Sequence, residues 1–128
     1  MIEPGAETAS RLFRRFDVVS SAITPLELTS ALVRRRAAAE LTDRQFVQTV
    51  GRIREDRTHW RLVEPGDQVL SQAEEIIGTT VVRTLDALHL ASCLIFALLE
   101  GAHLPFVTAD ARQRAAAERA QLTVVWVA

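Results

Sequence analysis

Cysteine is almost missing from this chain: Cys93 stands alone, so no disulfide framework can hold the fold. A reducing, cytoplasmic setting is the simpler expectation. The lone thiol lies in an apolar stretch and reads as a small core side chain. Long apolar runs are missing too. The longest, Ala87 to Leu99, is interrupted by His89 and Ser92 and falls short of the ~20 residues that span a bilayer. It reads as a buried helix, and no membrane is expected as a partner. The opening residues, MIEPGAETAS, carry acids where a secretory leader needs basic and apolar segments. Net charge is scarce as well, at −1, which excludes a uniformly basic nucleic-acid clamp. Glycine-rich phosphate loops, zinc-spaced cysteines and a G-x-S-x-G elbow are all absent. So are internal repeats and flexible linkers.

What is present suffices for one domain over residues 1–128. A hydrophobic fraction of 48% fills a single core at this length. Arginines cluster at 11, 14 and 15, at 34–36, and at 52, 54 and 57. Such clusters can contact phosphates. They equally serve as stems covering apolar surface with their heads in water.

Periodicity divides the chain into alternating elements. Ala6, Ala9, Leu12, Phe13 and Phe16 predict a helix over residues 3–15. Asp17 to Ser20 reads as a strand. Thr24, Pro25 and Glu27 form an N-cap, first-turn proline and capping box for a helix to about Ala39. Thr42 and Gln45 repeat that signature for a helix to about Arg57, and the tight link between the two suggests a helical hairpin. Trp60 to Val63 reads as a strand, closed by Pro65–Gly66. Residues 67–77 follow as an amphipathic helix with Gly78 as its stop. Thr84 caps a long helix from Leu85 to Glu100, ended by Gly101. Leu104 to Thr108 is an apolar strand, Asp110 to Arg119 a helix, and Thr123 to Val127 a last strand. Trp60 and Trp126 read as core. This alternation predicts an α/β fold with a mostly parallel sheet flanked by helices.

Three carboxylates hold similar positions in that scheme. Glu27, Asp86 and Asp110 each open a helix, Glu27 and Asp110 just beyond a strand. Ligands of parallel α/β sheets gather beyond the carboxyl ends of strands. A helix N-terminus also favours acidic side chains on its own account, so capping alone explains each one. His89, three residues after Asp86, reads as a packed or hydrogen-bonded residue. His59 and His103 look incidental.

The segment Arg83 to Ala91, RTLDALHLA, resembles the long-helix motif of the PIN-domain family. Phe106 to Asp110, FVTAD, resembles its late strand with a terminal aspartate, and Ser21 to Glu27, SAITPLE, the segment carrying its helical glutamate. The three occur in the family's order. The likeness runs over essentially the whole chain and is nearest to the VapC-type toxins of bacterial toxin–antitoxin pairs.

That resemblance implies a three-layer α/β fold and a metal-dependent endoribonuclease. Glu27, Asp86 and Asp110 would hold Mg²⁺ or Mn²⁺, and Thr108 would either contribute through water or simply satisfy the strand-end backbone; Arg83, adjacent to that site, is placed either to contact an RNA phosphate or to lie on the surface. Hard cations suit such oxygen donors, and a metal-bound water would attack the phosphodiester. The implied partners are a cognate antitoxin, the RNA substrate and a second copy in a homodimer. The family pattern also begins with a strand ending in an aspartate. This chain has no counterpart to either, and neither Glu3 nor Glu7 takes that place. The expectation is therefore an N-terminally truncated domain with impaired cleavage, or an inactive module that binds antitoxin or RNA.

Overall fold

A computed structural model describes residues 16–127 together with Arg11. The helix expected over residues 3–15 lies outside the described residues, Arg11 and the loop position of Phe16 aside. Four strands and five helices follow: β1 (Val19–Ser21), α1 (Thr24–Ala37), α2 (Asp43–Asp56), β2 (Arg61–Val63), α3 (Asp67–Thr79), α4 (Thr84–Glu100), β3 (Phe106–Thr108), α5 (Ala111–Arg119) and β4 (Val124–Trp126). Among the described residues no helix is long and apolar enough to cross a membrane.

The helix signals hold where side chain and backbone are free to meet. Thr42 and Gln45 form the full capping box of α2, with the Gln45 N–H donating to Thr42 Oγ1 at 3.1 Å and the Thr42 N–H to Gln45 Oε1 at 2.9 Å. Asp110 caps α5 by accepting from the Arg112 N–H at 2.8 Å and the Gln113 N–H at 3.4 Å. Gly101 closes α4 in the left-handed region, φ 61°, where a residue without Cβ is least strained.

Three helix-end signals differ from expectation, and the strands are shorter or shifted, the one expected over Asp17–Ser20 lying at Val19–Ser21. The cap of α1 is Ile23, with no side-chain bond. Thr24 is already helical, its hydroxyl 2.6 Å from that of Ser20, so its capping box with Glu27 does not form. Arg83, rather than Thr84, occupies the cap position of α4. Gly78 does not stop α3, which runs on to Thr79. There the Thr79 hydroxyl donates to the Glu75 carbonyl at 3.1 Å before Thr80 turns extended.

Among the described residues all pairing is parallel and the strands form two pairs, β1 with β2 and β3 with β4. The α/β class with helices flanking parallel strands stands, while the continuous sheet resolves into two halves. The long helix α4 orients both. Arg61, at the head of β2, lies 3.9 Å from Glu100 and 5.1 Å from the Phe96 ring, near the carboxyl end of α4. Glu27, beyond the end of β1, reaches His89 in its second turn. On the other side Cys93, in mid-helix, is 3.9 Å from the carbonyl of Leu104 before β3. The end of β3 communicates with Asp86 in the first turn. Both strand pairs thus run against α4, and their carboxyl ends share one edge.

The core sits where α3, α4 and α5 meet. Val69, Ala73 and Ile76 pack with Ala87, Leu90, Ala91, Ala116 and Ala117. Small alanines let the helices approach closely, and Leu90, fully buried, is the largest side chain sealed among them. The hairpin α1–α2 contributes far less: Pro25 is the buried residue of α1, and α2 buries none.

Candidate carboxylate site

Asp86 faces inward from the first turn of α4, its side chain 9% exposed. A carboxylate taken out of water needs partners to offset its desolvation. It has two. Arg83 Nε donates to Oδ2 at 3.3 Å, and Gln113 Nε2 donates to Oδ1 at 2.8 Å. Gln113 Oε1 in turn accepts from the buried Thr108 hydroxyl at 2.7 Å, and Thr108 Oγ1 accepts the Asp110 N–H at 3.1 Å. The chain of bonds from Asp86 through Gln113 to Thr108 ties the first turn of α4 to the end of β3.

Asp110 joins the same cluster from its other side. Its Oδ1 serves the N-terminus of α5, and its Oδ2 lies 3.7 Å from Arg83 NH2. Arg83, 68% exposed, therefore stands between Asp86 and Asp110 as their shared cation. Arg83, Asp86, Thr108 and Asp110 are thus brought together by the fold.

Glu27 is engaged elsewhere. Its Oε1 pairs with His89 Nε2, one helical turn beyond Asp86. His89 is accordingly the hydrogen-bonded residue that the sequence suggested. Among the described residues, no group of three or more His, Cys, Asp or Glu side chains is arranged to hold a metal ion. Both oxygens of Asp86 are engaged, Asp110 is shared between a helix cap and a guanidinium, and Glu27 is bound to imidazole.

Gln113 is the site residue that sequence reasoning passed over. It lies three residues after the Asp110 cap, where a glutamine usually signals a capping box. Here its amide turns to Thr108 and Asp86 instead. Cys93 offers no alternative nucleophile: burial pushes its thiol up to about 11 from 9.0, so it stays protonated and weakly nucleophilic at neutral pH. The tryptophans are not sealed in the core, Trp126 being 38% exposed with Arg114 5.1 Å over its ring.

Comparison with known proteins adds one finding. A family model described as the PIN domain matches residues 2–119. No curated protein and no solved structure matches the chain.

Proposed function

The chain belongs to the PIN-domain family, and from that premise we propose that it is a PIN-like interaction module that binds an antitoxin protein or RNA without cleaving it. One observation carries this reading. The carboxylates that resemble the family's acidic set are already engaged from within, Asp86 and Asp110 sharing Arg83 and Glu27 hydrogen-bonded to His89. A reaction centre for phosphodiester hydrolysis needs its charge aimed at developing charge on the substrate. Here the guanidinium is spent on the protein's own acids. The exposed α1–α2 hairpin, with Leu26 72% and Val47 68% exposed beside its arginines, offers mixed surface for a partner.

A second reading is a VapC-type endoribonuclease acting as a dimer with Mg²⁺ or Mn²⁺. It is favoured by Asp86, Asp110 and the Thr108 hydroxyl gathering at one strand end. A bound divalent ion would supply an activated water and offset phosphate charge. Arg83 would have to release its two acids first.

Incubation of the purified chain with a structured RNA pool, with Mg²⁺ or Mn²⁺, separates the readings. The expected result is RNA recovered intact from a chain shown to be folded. Cleavage abolished both by EDTA and by Asp86→Asn would overturn the module reading in favour of the nuclease.

A further inference from the structure

Gln113 stands in the middle of a series of hydrogen bonds whose direction is fixed. Thr108 Oγ1 accepts the Asp110 N–H at 3.1 Å, and a hydroxyl has a single proton to give. That proton goes to Gln113 Oε1 at 2.7 Å. The Gln113 amide therefore turns its NH2 the other way, toward Asp86 Oδ1 at 2.8 Å. The reverse orientation would set an amide oxygen against a carboxylate, which only accepts. Packing holds both ends of the series. Thr108 is buried at the end of β3, and Asp86 is followed at once by the sealed Ala87 of α4. Between them the Gln113 N–H donates to Asp110 Oδ1 at 3.4 Å, and Ala116 and Ala117 press α5 into the core.

The two oxygens of Asp86 thereby acquire different tasks. Oδ1 is drawn toward α5 by Gln113, while Oδ2 meets the exposed Arg83. A guanidinium and a carboxylate frequently form a two-pronged pair, each oxygen taking one N–H. Arg83 does not use that geometry. Its Nε donates to Oδ2 of Asp86 at 3.3 Å, and its NH2 lies toward Asp110, 3.7 Å away. The cation now at this edge is thus offered one oxygen of Asp86, the other being tied back to the neighbouring helix.

We propose that Gln113 is a positioning residue that makes Asp86 a one-oxygen ligand, and so biases this edge toward a small octahedral cation such as Mg²⁺ or Mn²⁺ and against Ca²⁺. It rests on the second reading, in which a divalent ion takes the place of Arg83. The donors gathered here, two carboxylates and a hydroxyl, are of the kind that hard cations take. What separates those cations is demand. Ca²⁺ gathers about six to eight oxygens and commonly takes both from one carboxylate, whereas Mg²⁺ keeps several waters and needs one or two carboxylates in a strict octahedron. An aspartate with one oxygen held by Gln113 meets the smaller demand. Released from Gln113, the Asp86 carboxylate is free to rotate and present both oxygens.

The test is calorimetric titration of the full chain carrying Arg83→Gln with Mn²⁺ and with Ca²⁺, repeated after adding Gln113→Met, which keeps the side chain's length and removes its donor. Arg83→Gln should bind Mn²⁺ the more tightly of the two. Adding Gln113→Met should weaken Mn²⁺ roughly tenfold, the scale of a hydrogen bond that orients a metal's ligand, and weaken Ca²⁺ by less than about threefold. A role in packing alone would weaken both ions together and leave the ratio of their affinities unmoved. Equal loss of both ions, or loss of neither, would overturn the proposal. So would equal binding of Mn²⁺ and Ca²⁺ to Arg83→Gln, a comparison that decides the matter even if the double variant does not fold. Saturable binding of neither ion to Arg83→Gln would overturn it by another route, removing the second reading itself.

Discussion

The two halves of the chain reach order by different routes. From β1 through α2, residues 19–56, the helices are set by local bonds: the α2 capping box, the hydroxyl contact of Ser20 with Thr24, and arginines such as Arg36 stacked 3.8 Å from the Phe46 ring. From α3 onward, residues 67–127, the chain is set by burial, with three helices sharing one apolar core. The carboxylates divide the same way. Asp86 and Asp110 belong to the buried half and are bound together by Arg83 and Gln113. Glu27 belongs to the locally ordered half and, among the described residues, meets the rest through His89.

Substitutions can sharpen or break that contrast. Leu90→Ala should have the largest effect, about 2–5 kcal/mol lost in denaturant unfolding, because the sealed site leaves a cavity that alanine neighbours cannot fill. A loss under ~1 kcal/mol would mean the second half is not organised by burial. Next come the caps. Thr42→Ala and Asp110→Ala should each cost ~1 kcal/mol. They should differ in reach: Thr42→Ala should speed amide exchange within α2 alone, whereas Asp110→Ala should also loosen the start of α4 through Arg83. Equal, local effects would break the comparison. Val47→Thr on the exposed face of α2 should change stability by less than ~0.5 kcal/mol.

Alkalinity probes the buried half separately. The Cys93 thiol is pushed up to about 11 by burial, so the folded chain keeps a proton that the unfolded chain releases near 9.0. Its contribution is complete below 9.0 and is lost as pH rises toward 11. Alkylation of Cys93 should stay slow at pH 8 and accelerate only near that upper value. Rapid labelling at neutral pH would show that the middle of α4 opens readily.

Much of this arrangement was legible in the residues. The alternation of elements, the Thr42–Gln45 capping box, the Asp110 cap and the Gly101 stop all depend on neighbours in sequence, and the structure repeats them. The misread boundaries depend on distant partners. Thr24 looked like a cap because its competing contact with Ser20 belongs to the strand–helix turn. Gly78 looked like a stop, but the helix runs one residue further, to Thr79, whose hydroxyl bonds back to the Glu75 carbonyl. The grouping of Arg83 with Asp86 was readable at i,i+3 spacing. Its second contact, to Asp110 across 27 positions, and the Gln113 link could come only from the fold. Two strand pairs instead of one sheet were likewise invisible in alternation, which reports faces and not lateral neighbours.

The measurement that bears most directly on the closed carboxylate edge is calorimetric titration of the folded chain with Mn²⁺, beside Arg83→Gln and Asp86→Asn. With Arg83 holding Asp86 and Asp110, the unaltered chain should show no saturable binding tighter than the order of a millimolar. Arg83→Gln should gain affinity, and Asp86→Asn should gain none. Tight, saturable Mn²⁺ binding by the unaltered chain, lost in Asp86→Asn, would contradict the account and show that the guanidinium yields its place to a metal.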